Sequence, residues 1–131
     1  MLMDIKALLA RSAYPLAITL TIFITITSLV SLKGMRSISI GISNFDKIVH
    51  FALHFLLALS WFFATQKTIV KRKTKTILVI GLISYGIIIE ALQDGMTTHR
   101  QADFYDILAN SIGVLLAAIL FPRLNRWFNS I

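Results

Sequence analysis

The sequence predicts an all-α fold, a four-helix transmembrane bundle with both termini cytoplasmic. Three observations carry this. Of 131 residues, 56% are hydrophobic and only 15% charged, and mean hydropathy is +0.78. Uncharged runs fill 12–32, 48–66, 76–89 and 107–122. The basic residues that give the net charge of +7 lie mainly between and beyond those runs. Four such runs in so short a chain exclude a soluble globular enzyme, a disordered tail and a nucleic-acid module. The absence of cysteine excludes a disulfide framework and thiolate chemistry.

The chain reads as one polytopic membrane domain over 1–131, with helices at about 13–32, 45–66, 76–93 and 103–121. The first starts near Tyr14 and Pro15, a position where proline costs least. Its uncharged stretch is longer than the apolar region of a signal peptide, and no small-x-small site follows before Lys33, so it reads as a retained span. Its many β-branched residues are no obstacle, because lipid forces the backbone to satisfy itself internally. The connection 33–45 is broken by Gly34 and Gly41, and 37–43 alternates with period two, as an extended segment would.

The second helix can be capped by Ser43 or Asn44 and has Asp46 in its first turn. Trp61, Phe62 and Phe63 near its far end suit an interfacial aromatic belt. A short basic loop, 67–75, follows. The uncharged part of the third helix spans only about 21 Å at 1.5 Å per residue, short of a ~30 Å hydrocarbon core. That helix must therefore continue through Glu90 and Gln93. The fourth stops at Pro122, and Arg123, Arg126, Trp127 and Phe128 form an interfacial anchor.

Positive charge sets the orientation. Lys6, Arg11, five residues in 67–75, Arg123 and Arg126 fall on one side; Lys33, Arg36, Lys47 and Arg100 fall on the other. The richer side is expected in the cytoplasm. This topology already accounts for the basic charge, so no nucleic-acid partner is expected.

The acidic residues are distributed unevenly. Apart from Asp4, all of them (Asp46, Glu90, Asp94, Asp103 and Asp106) fall at the outer ends of helices two, three and four. Lys47, His50, Gln93, His99, Arg100 and Asn110 fall there too. Asp46, His50 and His54 recur at i, i+4, i+8; Glu90 and Gln93 at i, i+3; Asp103, Asp106, Asn110 and Gly113 at i, i+3, i+7, i+10. Each set is one helical stripe. Stripes at one depth can face each other inside the bundle, whereas each charge facing mid-membrane lipid costs on the order of 2.5–3.5 kcal/mol. Ala109, Gly113 and Ala117 add a ridge of small residues that permits close helix approach.

Asp46-Lys47-x-x-His50-Phe51, then Glu90-x-x-Gln93, then Arg100-x-x-Asp103-x-x-Asp106-x-x-x-Asn110-x-x-Gly113, resembles the VanZ-like family of small bacterial membrane proteins. The resemblance covers about 46–113, with all three polar blocks in family order. It implies a multi-pass protein of the bacterial cytoplasmic membrane with a cell-envelope role, and an association with resistance to the glycopeptide teicoplanin. His54 and His99 are not part of the pattern.

Each of these residues also has a plainer reading. Asp46 and Asp103 suit helix N-termini, Lys47 can snorkel, Arg100 can form a structural ion pair, and Asn110 and His54 can bond between helices. Glu90 is harder to dismiss, since an acid near a helix C-terminus meets the unfavourable end of the dipole.

Three functions follow as expectations. The first is binding of a lipid-linked cell-wall precursor or amphiphilic antibiotic by Asp46, Lys47, His50, Glu90, Gln93, Arg100, Asp103, Asp106 and Asn110, with membrane lipid as the surrounding partner. The second is intramembrane acid–base catalysis on a lipid-linked substrate, with His50, Glu90 and Asp106 as candidates. The third is a structural salt-bridge network without ligand. Binding is preferred, because no nucleophile elbow, phosphate loop or zincin helix is present. No metal or other cofactor is assigned; a metal version would draw on His50, His54, Glu90 and Asp106.

Overall fold

A computed structural model describes residues 2–29, 45–65, 71–96 and 104–130, with side-chain detail over 4–29, 45–65, 71–92 and 104–130. These residues form helices α1 (Leu2–Leu29), α2 (Phe45–Ala64), α3 (Arg72–Met96) and α4 (Phe104–Ser130), and contain no strand. All four are long and apolar enough to cross a membrane. The twenty residues of α2 rise about 30 Å, one hydrocarbon thickness.

The termini of three helices differ from expectation. α1 begins at Leu2, which places Pro15 in its interior. The segment before Pro15 is rich in Leu, Ala, Lys and Arg, all strong helix formers, and Asp4 favours the first turn. α3 begins at Arg72, shortening the basic loop, because Lys and Arg extend a helix and reach back to water along their stems. α4 does not stop at Pro122 but runs on to Ser130. Proline removes one donor and one backbone bond; neighbouring helices make that tolerable in a membrane protein, so a rule drawn from soluble helices ended the element too early. The proposed caps Ser43 and Asn44, and the alternating segment 37–43, lie outside the described residues.

Side-chain contacts fix the helix directions. Lys47 of α2 meets Asp106 of α4 near their starts, and Phe62 meets Phe121 near their ends, so α2 and α4 are parallel. Tyr14 of α1 packs on Trp61 near the end of α2, so those two are antiparallel. Thr25 of α1 bonds Tyr85 of α3. Lys6 Nζ lies 5.8 Å from the centre of the Phe128 ring, so the start of α1 and the end of α4 share one end of the bundle. The starts of α2 and α4 and the last turns of α3 share the other.

The core is one stripe per helix. On α4 it runs Asp106, Asn110, Gly113, Val114, Ala117, Ala118 and Phe121, a helical period throughout. On α2 it is His54, Leu57, Ala58 and Phe62. Phe62 is therefore a core residue, not part of an aromatic belt. α2 has neighbours on several sides, and the Phe62 ring packs tilted against Phe121 with centres 5.6 Å apart. Trp61, only half-buried, turns its Nε1–H to Thr21 Oγ1 at 3.0 Å. Gly113 permits the closest approach: a Cβ there would stand 2.5 Å from the Phe51 carbonyl oxygen and 3.1 Å from the Phe55 nitrogen. The start of α4 thus lies backbone-to-backbone on the start of α2.

Candidate functional site

That close approach brings the polar stripes of α2 and α4 together, and α3 closes the third side. Glu90 and Asp106 are fully buried, and His54 and Asn110 nearly so. Glu90 lies six residues before the end of α3, roughly 9 Å along the helix axis, so it is well inside the bundle. Lys47 Nζ contacts Asp46 at 2.8 Å and Asp106 Oδ1 at 3.0 Å. It thereby joins an exposed carboxylate to a buried one.

His50 sits between the two acids and the amide. Its Nδ1 lies 3.2 Å from Asn110 Oδ1, and its Nε2 lies 3.6 Å from Asp106 Oδ2. One donor atom from each of His50, Glu90 and Asp106 falls within a 4.8 Å cluster. One turn deeper, His54 Nδ1–H donates to the His50 carbonyl at 3.1 Å. Its Nε2 and the Asn110 Nδ2 have no hydrogen-bond partner among the described residues. Both atoms lie 3.4 Å from where a Cβ on Gly86 would stand, so they face the same gap on α3.

The sequence placed nine residues at this site. The structure brings Lys47, His50, Glu90, Asp106 and Asn110 into one connected group. Asp46 is attached to it only through Lys47 and faces outward. Arg100, Asp103 and the side chain of Gln93 lie outside the described residues. Of the donors considered for a metal version, His54 stands apart from the converging three.

The model of the VanZ/LLP1 family matches residues 4–126. The chain belongs to the VanZ/LLP1 family. An uncharacterised protein of the fission yeast Schizosaccharomyces pombe is 36% identical over 75 residues, which is 57% of this chain and 45% of the relative. The chain therefore spans under half the length of that protein. No solved structure matches the chain.

In this VanZ/LLP1 protein the sequence reading missed two features of the site. One is Gly86, whose absent side chain leaves the gap beside Asn110 and His54; its position four residues before Glu90 was the available signal. The other is the division of labour within a stripe. Asp46, His50 and His54 share a helix face, yet one is outward, one central and one a turn below, because α2 enters the bundle only after its first turn.

Proposed function

We propose that this VanZ/LLP1-family protein binds the polar head of a membrane amphiphile at the end of the bundle where α2 and α4 begin, in a bacterial cytoplasmic membrane. The ligand class is a lipid-linked envelope intermediate or an amphiphilic antibiotic such as the glycopeptide teicoplanin. The observation that carries this reading is Asp106. It is a fully buried carboxylate held by Lys47 at 3.0 Å, close to where two helices emerge from an apolar bundle. Taking charges out of water costs several kcal/mol per ion unless they are paired and hydrogen-bonded. Ionisable groups inside a membrane bundle ordinarily mark a pathway or a ligand site. Lys47 and Arg100 supply cations for phosphate or carboxylate, and Asn110 and the acids supply bonds for amide and hydroxyl groups.

A second reading has its own observation. His50 lies between Asn110 and Asp106, an arrangement that orients an imidazole for acid–base catalysis on the same class of substrate. The similarity to a fission-yeast protein favours a ligand available beyond bacteria, so antibiotic resistance is the narrower form of the proposal.

The test is native mass spectrometry of the full chain in nanodiscs with added polyprenyl phosphate, phosphatidylglycerol or teicoplanin. Lys47→Met and Arg100→Ala are expected to weaken retention of the preferred ligand at least tenfold while helical content is unchanged. If both variants keep wild-type retention and only melt earlier, the cluster is a structural network and the binding proposal falls.

A further inference from the structure

We propose that His50, Glu90 and Asp106 form a three-ligand site for a divalent first-row transition cation, such as Mn2+ or Zn2+, with remaining coordination positions open. The site shares residues with the headgroup reading but stands without it.

Distance is the first argument. The three donor atoms come from three helices and lie within 4.8 Å of one another. Imidazole and carboxylate bind such ions at about 2.0–2.2 Å, so ligands of one ion are at most about 4.4 Å apart. Three ligands around one ion mostly stand about 3.4–3.6 Å apart, so side-chain adjustments of up to about an ångström close the set. The second turn of α2, the last turns of α3 and the first turn of α4 are already placed for it.

The second argument is the state of the His50 ring. An amide oxygen only accepts, so the bond at 3.2 Å to Asn110 Oδ1 puts a proton on His50 Nδ1. The other ring nitrogen, Nε2, is the one turned toward Asp106 Oδ2, at 3.6 Å. That separation is longer than a hydrogen bond and leaves both atoms on the side where the Glu90 carboxylate converges. A histidine whose Nδ1–H donates to a carbonyl-type oxygen, so that Nε2 is aimed at the site, is the arrangement that orients metal-ligating imidazoles.

The other side of the Asn110 amide faces His54. His54 Nδ1–H donates to the His50 carbonyl, so His54 Nε2 is an acceptor. Asn110 Nδ2 and His54 Nε2 face the same gap beside Gly86. The two atoms are not bonded to each other, and this placement leaves Oδ1 for His50. Lys47 contacts Oδ1 of Asp106, and Oδ2 lies on the His50 side.

The ligand types narrow the ion. One imidazole with two carboxylates, in a chain without cysteine, suits Mn2+, Fe2+ or Zn2+ better than an all-oxygen ion such as Ca2+. Three protein ligands leave positions for water or for an oxygen of a ligand, as in catalytic rather than structural sites.

The experiment uses the full chain in phosphatidylcholine nanodiscs, stripped with chelator and reloaded with Mn2+ or Zn2+. No envelope lipid or antibiotic is present, so failure of the headgroup reading leaves this result untouched. Wild type is expected to retain one ion per chain after desalting. The Mn2+ form should show a single imidazole nitrogen by electron spin-echo modulation. His50→Gln, Glu90→Gln and Asp106→Asn should each lower ion affinity at least a hundredfold. Asn110→Ala should lower it about 10–100-fold while leaving the ion count intact at saturation. Asp4→Asn, at the far end of the bundle, should bind as wild type. Circular dichroism identifies any variant that fails to fold, and the wild-type spectrum decides the matter without variants. Sub-stoichiometric loading of folded wild type, a spectrum lacking the nitrogen signal, or an unchanged ion in folded His50→Gln would overturn the proposal.

Discussion

Two helix contacts in this molecule are built in different ways. α2 and α4 meet along a seam of buried side chains, from Asp106 and Asn110 through Val114 and Ala117 to the rings of Phe62, Phe63 and Phe121. α1 is as long as either, yet among its described residues only Ala13, Ala17 and Ile24 are buried. It is attached by hydroxyls: the single Tyr85 proton reaches Thr25 Oγ1 at 2.7 Å, with the Thr21 carbonyl as the alternative acceptor at 3.2 Å, and Trp61 Nε1–H donates to Thr21 Oγ1 at 3.0 Å. Lipid offers little hydrophobic drive for helix association, so a contact must be made by steric fit or by hydrogen bonds. The seam uses fit and α1 uses bonds. The polar cluster lies on the seam because only a closely fitted contact excludes lipid and water well enough to bury Asp106 and Glu90 together.

The most damaging change to this contrast is Gly113→Val. A Cβ at Gly113 meets the backbone of Phe51 and Phe55, which cannot rotate out of the way. The helices must separate, which loses the packing of the whole start of the seam. We expect a loss of about 3 kcal/mol or more, at the upper end of overpacking costs, measured by denaturant titration in detergent micelles. The loss should extend to the cluster, so Lys47, already a quarter exposed, should react faster with amine-reactive reagents. A wild-type midpoint would mean that fit at Gly113 does not hold the seam.

The contrast was half legible in the sequence. Four spans follow from run length and charge, since the hydrocarbon thickness leaves few alternatives for chains of this hydropathy. The seam was visible in the stripe Asp106, Asn110, Gly113 and in the small residues beside it. The gathering of His50, Glu90 and Asp106 follows from depth, because all three lie at comparable distances from one end. What could not be read was which member of a stripe points inward. Asp46 and His50 share a face, and only the position at which α2 meets its neighbours separates exposed from buried. Phe62 was unreadable for the same reason. A ring near a helix end is a belt residue if the helix is peripheral and a core residue if it is central. The attachment of α1 was hidden because its threonines also bond their own helix: Thr21 to the Ala17 carbonyl and Thr25 to the Thr21 carbonyl. A threonine in lipid needs no second partner to be accommodated.

Removing α1's bonds tests the other side of the comparison with a smaller effect. Thr25→Val keeps shape and deletes the hydroxyl that meets Tyr85. Hydrogen bonds between transmembrane helices are worth about 0.6 kcal/mol on average and up to about 1.7. We expect a loss of about 0.6 kcal/mol, and roughly twice that when combined with Trp61→Phe, read from the same denaturant titration. The cluster on the seam should keep its reactivity in both variants. A loss as large as that of Gly113→Val would erase the distinction between the two contacts.

The smallest effect comes from the same kind of residue in a different setting. Nothing lies within 4 Å of a Cβ added at Gly81, which faces outward from α3. Gly81→Ala therefore meets no steric cost and removes a residue that weakens helices by up to about 1 kcal/mol in water. The bilayer already compels the backbone to be helical, so most of that gain is supplied before the substitution is made. We expect a stabilisation below about 0.5 kcal/mol, seen as a slight rise in melting temperature. Gly113→Ala must lower it, because even a single methyl there collides with the Phe51 carbonyl. Opposite signs for one substitution at two glycines separate fit from propensity more cleanly than either value alone. If both raised the melting temperature, α2 and α4 would not be held at backbone contact, and the enclosure of Asp106 would need another cause.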